Sequence, residues 1–200
     1  MATDRDNSYG ALRAEVLGGL GAGAVSLRRR ALRARSAGAL AGVLADDFCL
    51  AVGLGVLTAE LIARWPSEFA AAGVRANCDA DRGKLLVEGE ARVRAGGTVF
   101  CIARGLAAVE ARDCAAVQAY DCARVAARDY ALVSAYDGAT VDAHGCALVH
   151  ARGHSRITAH DGVRVHAREE ARVRADGRAR VTRYDGNVVM ASEGVVIIDS

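Results

Sequence analysis

All five histidines of this 200-residue chain fall between His144 and His166. Sixteen residues separate His144 from His160, and sixteen separate His150 from His166. Imidazole is a common ligand for transition metals, so these two pairs, with Cys146 nearby, are the candidate metal ligands. No recognised ligand spacing accompanies them, and a solvated row of imidazoles is the simpler expectation. Cys114, Cys122 and Cys146 recur at one position of a repeat, where they read as small corner residues. Arg28, Arg29, Arg30, Arg33 and Arg35 form a basic run on a predicted helix. Arg156, Arg164, Arg172 and Arg180 recur at intervals of eight. Both sets are candidates for a phosphate or another polyanion, although Asp161, Glu169, Glu170 and Asp176 dilute the second. The run Gly19-Leu20-Gly21-Ala22-Gly23 looks like a dinucleotide loop but follows no strand of a βαβ unit. No Ser-His-Asp or Cys-His constellation is visible, so no catalytic residue and no cofactor are assigned.

The element that carries most of these residues is an octad. From Arg92 onward the chain reads RVRAGGTV, FCIARGLA, AVEARDCA and so on, for thirteen consecutive octads without an insertion. Position two is nearly always Val, position four nearly always Ala, and position six Gly, Asp or Glu. Apolar residues at positions two, four and eight alternate with polar ones, the pattern of a strand with one buried face. Position six supplies a corner, and Asp137-Gly138, Asp161-Gly162 and Asp185-Gly186 tolerate left-handed backbone. A single octad cannot bury its apolar face; stacked octads can. The expected fold is therefore mainly β, a β-solenoid preceded by an α-helical N-terminal segment.

Two octads per coil give a two-sheeted, sixteen-residue coil, and three give a three-sided coil of twenty-four. Position five favours sixteen, because Arg112/Arg128, Tyr120/Tyr136, His144/His160 and Arg152/Arg168 are like pairs. Position six favours twenty-four, because Asp113, Asp137, Asp161 and Asp185 align. Val and Ala fill a narrow slot but leave a void in a triangle, so sixteen is preferred.

Residues 1–83 have another texture, and the boundary is drawn between a mostly helical capping domain there and a repeat domain at 84–200. Ala11 to Leu17, Val25 to Leu44 and Leu57 to Arg64 have helical spacing, Trp65-Pro66 ends a helix, and Ser67 to Ala72 forms a short one. The apolar stretch Ala37 to Ala63 contains Asp46, Asp47 and Glu60, which fits a buried helical hairpin and not a membrane span. Phe100, Ile102 and Leu106 take nominally outward positions, which calls for a cover, with the helical domain the nearest candidate. Val188, Met190, Val196 and Ile198 also fall on outward positions and form the candidate partner interface.

The octad cadence in TVDAHGCA and LVSAYDGA resembles that of low-complexity β-helical repeat proteins of actinobacteria and phages, over residues 92 to 195. Bactofilins, the bacterial cytoskeletal β-helices, are a looser likeness. The resemblance implies the fold and adds little on function. Net charge is +2, aromatics are 4%, and Lys84 is the only lysine, so no strong field for nucleic acid or membrane is expected. With no secretion signal visible, six cysteines read as thiols in a cytoplasmic compartment. The leading expectation is a non-enzymatic scaffold that associates with itself or another protein. The alternatives are a nucleic-acid or polyanion binder and an enzyme with a site between cap and solenoid.

Overall fold

A computed structural model describes residues 3–21, 23–184 and 188–199. The chain divides into two compact units, 1–76 and 77–200. The first contains α1 (Thr3–Gly19), α2 (Val25–Arg33), α3 (Ala37–Asp46), α4 (Phe48–Gly53), α5 (Ala59–Arg64), α6 (Pro66–Ala71) and the short strand β1 (Val74–Ala76). Leu12, Val16, Leu27, Leu40, Leu61 and Phe69 are buried in it. The helix anticipated across Val25 to Leu44 is two helices. Ala34 and Ser36 are extended, and the Ser36 hydroxyl accepts from the Ala39 N–H, a cap that restarts the chain as α3. Pro66 opens α6 at the first helical turn, where its missing N–H costs nothing.

The second unit is a β-solenoid with two sheets. Sheet I contains β2 (Lys84–Val87), β4 (Phe100–Ala103), β6 (Ala116–Ala119), β8 (Leu132–Ala135), β10 (Leu148–Ala151), β12 (Arg164–Ala167), β14 (Arg180–Arg183) and β16 (Val196–Asp199), in that order. Sheet II contains β3 (Arg92–Ala95), β5 (Ala108–Ala111), β7 (Arg124–Ala127), β9 (Thr140–Ala143), β11 (Arg156–Ala159), β13 (Arg172–Ala175) and β15 (Val188–Ala191). Every pairing is parallel, and each residue sits over the one sixteen positions earlier: Val117, Val133, Val149 and Val165 form one ladder. The coil is thus the sixteen-residue, two-sheeted one. The twenty-four-residue alternative is overturned, since Asp113 and Asp137 belong to corners after strands of different sheets. The array also begins one octad before the strict consensus: Lys84 to Ala91 (KLLVEGEA) stacks with Lys84 over Phe100 and Leu85 over Cys101.

The interior is a slot of small side chains. Val133, Val149, Val165, Ala135, Ala151 and Ala167 are fully buried, and so are the position-eight alanines Ala131, Ala139 and Ala147. Identical β-branched residues in register pack well on a pleated surface. Leu86 and Ile102, at outward positions, are also buried, whereas Leu106 is 58% exposed.

The corners explain position six. From Gly97 to Gly177 it takes a left-handed backbone whether it is Gly or not: φ is +55° at Asp113, +53° at Asp137 and +56° at Asp161; in the last described corner that conformation moves to Gly194. Asp185 and Gly186 lie outside the described residues. Asp at this position also has a second task. The Asp121 carboxylate accepts from the Gly105 N–H at 3.0 Å, and Asp113 accepts from Gly97 at 3.0 Å, each reaching back one coil. Main-chain bonds continue through the corners as well, as in Cys114 N–H to the Gly97 carbonyl and Cys146 N–H to Asp129. At Gly97 the packing is closest. A Cβ there would stand 2.3 Å from the Asp81 carbonyl oxygen.

Ser155 breaks the position-eight pattern. It is fully buried, and its hydroxyl has no hydrogen-bond partner among the described residues. An unsatisfied buried hydroxyl costs about 1–3 kcal/mol. Ser155→Ala, which restores the repeat residue, is expected to raise the unfolding free energy by about 1 kcal/mol in urea titration. Gly97→Val is expected to lower it, because a β-branched residue at φ +53° also meets the Asp81 backbone.

Candidate functional site

Since the strands are in register, each outward position becomes a column, and the two sheets carry columns of different chemistry. Sheet II is charged with both signs. The Asp79 carboxylate takes Nε and a terminal nitrogen of Arg94 at 2.9 and 2.7 Å and the Arg94 N–H at 2.8 Å. Those bonds, the main-chain one first, hold Asp79 below the usual carboxylate range. Glu110 lies 2.5 Å from Arg112 and 4.0 Å from Arg128. The hydrogen bond to Arg112 lowers Glu110 and raises Arg112. All of these groups are wet, so the pairs add little to stability. A shallow groove of about 660 Å³ runs along this face from Asp79 past Arg94, Glu110 and Arg124 to Asp142.

At the end of that groove the structure brings His144 and His160 together. Their rings stack with centroids 4.4 Å apart and planes 10° off parallel. Nε2 of His144 lies 3.4 Å, and Nε2 of His160 3.3 Å, from the same Oδ1 of Asp142. Nδ1 of His160 is 2.9 Å from Asp176, and Nδ1 of His144 is 3.9 Å from Asp161. Sequence reasoning named the two histidines and missed the carboxylates. Asp142 is two residues before His144, hence on the same side of the strand, and Asp176 is one coil beyond His160.

His150 and His166 stack too, at 5.1 Å, but on sheet I. The four histidines are therefore two sites on different sheets. Cys146 is exposed and not part of the cluster formed by Asp142, His144 and His160. Cys114, Cys122 and Cys146 stand as free thiols, with Cys122 and Cys146 in corners after strands of different sheets.

Sheet I is the uncharged or basic face. Between β4 and β14 its octads place no acid at positions one, three or five; their acids sit in the corners. Tyr120 stacks on Tyr136 at 4.8 Å, Arg152 lies over the Tyr136 ring at 5.9 Å, and Arg168 over the Tyr184 ring at 4.6 Å. The position-one arginines do not form one row. Arg156 pairs in register with Arg172 on sheet II, and Arg164 with Arg180 on sheet I. In the helical unit, Arg30 binds Asp46 and Asp47, both at 2.6 Å, and Arg28 donates to the Leu20 carbonyl. Arg33 and Arg35 line an open depression with Tyr9 and Arg13.

The last strands have a third chemistry. Val188 and Met190 on β15, and Val196 and Ile198 on β16, are all exposed, Met190 by 68%. Ile197, in the inward valine column, is 43% exposed. In the inward alanine column Arg183 and Asp199 replace Ala and pair at 2.6 Å, which holds the Asp199 carboxyl below its ordinary range.

His150 is held below the ordinary imidazole range by partial burial first, then by His166, Arg152 and Arg168. Its unfolded form therefore takes a proton before the folded one does. That contribution to stability is complete above the unfolded value of about 6.5 and is lost as pH falls through the folded value. NMR titration should give His150 a midpoint below the ordinary imidazole value, and His150→Gln should flatten the acid side of the stability profile. No family model, curated protein or solved structure matches this chain.

Proposed function

We propose that this protein is a non-enzymatic scaffold that associates with a second copy of itself through its C-terminal coil. The observation that carries the reading is the exposure of Val188, Met190, Val196, Ile197 and Ile198 together on β15 and β16. These two strands are paired on one side only among the described residues. Large apolar side chains beside open sheet edges are costly in water and mark a surface that another chain covers. Arg183 and Asp199 bear on the kind of assembly. Charge in the alanine column opposes coaxial continuation of the dry slot, which favours a closed pair over a filament. Free cysteines and a buried Cys101 thiol, pushed up to about 12 by burial, fit a reducing compartment such as the cytoplasm. Among the described residues no helix is long and apolar enough to cross a membrane.

Sedimentation velocity across a wide concentration range tests this. A dimer is expected, and Met190→Lys with Ile198→Lys should leave a folded monomer. A wild-type protein that stays monomeric at high concentration refutes the reading.

A second reading rests on sheet I. Arg152, Arg164, Arg168 and Arg180 beside Tyr136 and Tyr184, without interleaved acids, fit a single-stranded nucleic acid or another polyanion, which stacks on aromatics and pairs with guanidinium. Arg164→Glu with Arg180→Glu should abolish oligonucleotide binding measured by anisotropy, while Arg156→Glu with Arg172→Glu on sheet II should not. Binding indifferent to salt would argue against this reading.

A further inference from the structure

We infer that Asp142, His144 and His160 form a site for one divalent transition-metal ion, with Zn²⁺-like preferences, on the outer face of sheet II. The three ligand atoms lie within 4.8 Å of one another. The separations of 3.4 and 3.3 Å from Asp142 Oδ1 to the two Nε2 atoms are too long for good N–H···O hydrogen bonds. They match the edge of a tetrahedron whose arms are about 2.0–2.1 Å, the usual Zn–N and Zn–O distances.

The arrangement behind the ligands points the same way. The contact of Asp176 with His160 Nδ1, at 2.9 Å, places the ring proton on Nδ1 and leaves the Nε2 lone pair facing Asp142. Asp161 takes the corresponding place behind His144, at 3.9 Å. Nε2 of both rings lies beside the same Asp142 oxygen, and an ion bound there would tilt the two stacked rings, now 10° off parallel, so that both nitrogens reach it. Protonating both rings is a poor substitute, because the stacked imidazolium rings would stand 4.4 Å apart. The donor set of two nitrogens and one oxygen selects a borderline ion over Mg²⁺ or Ca²⁺. The ligands come from two neighbouring coils, β9 with its corner and the corner after β11, so the ion would clip one rung to the next. A remaining coordination position faces the solvent, since Asp142 is exposed and both histidines are only part-buried. His150 and His166 provide an internal control: they stack similarly, but no carboxylate completes a cluster with them among the described residues.

The test uses the untagged full chain, stripped with a chelator and titrated with Co²⁺ by visible absorption and with Zn²⁺ by calorimetry. One equivalent should bind, a d–d band should appear with Co²⁺, and the thermal midpoint should rise with Zn²⁺. His160→Gln and Asp142→Asn should abolish the band, and Asp176→Asn should weaken affinity by about tenfold by freeing the ring. His150→Gln with His166→Gln should leave binding unchanged. Affinity should fall as pH is lowered, because protons compete with the metal ion for the ligand atoms. Circular dichroism on each variant separates lost ligation from lost fold. Absence of saturable binding of Zn²⁺, Co²⁺ and Ni²⁺ overturns the inference. So does binding that survives both His160→Gln and Asp142→Asn, or that disappears in the His150/His166 double variant.

Discussion

Each coil of the solenoid supplies hydrogen-bond partners for the next, in the strands and in the corners alike. Cys114 donates to Gly97, Tyr130 to Asp113 and Cys146 to Asp129, so the main chain is matched even where it turns. A buried amide without a partner is expensive, which makes sixteen residues per coil a rigid requirement. The slot of valine and alanine then follows: the two sheets can close on each other only if the residues between them are small. Position six follows too, since the chain must reverse there in a left-handed conformation that Gly and Asp accept most readily.

This constraint decides what a reader of the sequence can recover. The valine and alanine columns repeat because every coil meets the same interior, so the β-solenoid was readable from composition and period alone. Coil size was readable from position five, where Tyr120/Tyr136 and His144/His160 turned out to stack, together with the narrow valine and alanine slot, although position six pointed to twenty-four. The opening octad KLLVEGEA lies outside the strict consensus, and its strand was legible from Leu85, Leu86 and Val87 and the boundary at residue 84. The helical unit follows no repeat; the break between α2 and α3 depends on one cap at Ser36, a local hydrogen bond that helical spacing does not encode.

The outward positions answer to no such rule, and sequence reasoning was weakest there. Arg156, Arg164, Arg172 and Arg180 look like one series along the chain, yet alternate octads face opposite ways. Asp142 attracted no notice and Asp176 only as a diluent of the arginine series, because their meaning lies in what stands one coil away. Ser155 is the reverse case: an inward residue whose polarity the repeat leaves unexplained.

Alternate facing has a consequence for how such a gene can change length. Duplicating or deleting a single octad would reverse the parity of everything downstream. Columns now on the acid-free side would move to the ion-paired side, and the histidine pairs would exchange surroundings. Adding or removing two octads lengthens or shortens the rod and leaves each face in place. Growth in steps of sixteen is therefore the neutral path, and a step of eight would exchange the two surfaces at a stroke without disturbing a single buried side chain type.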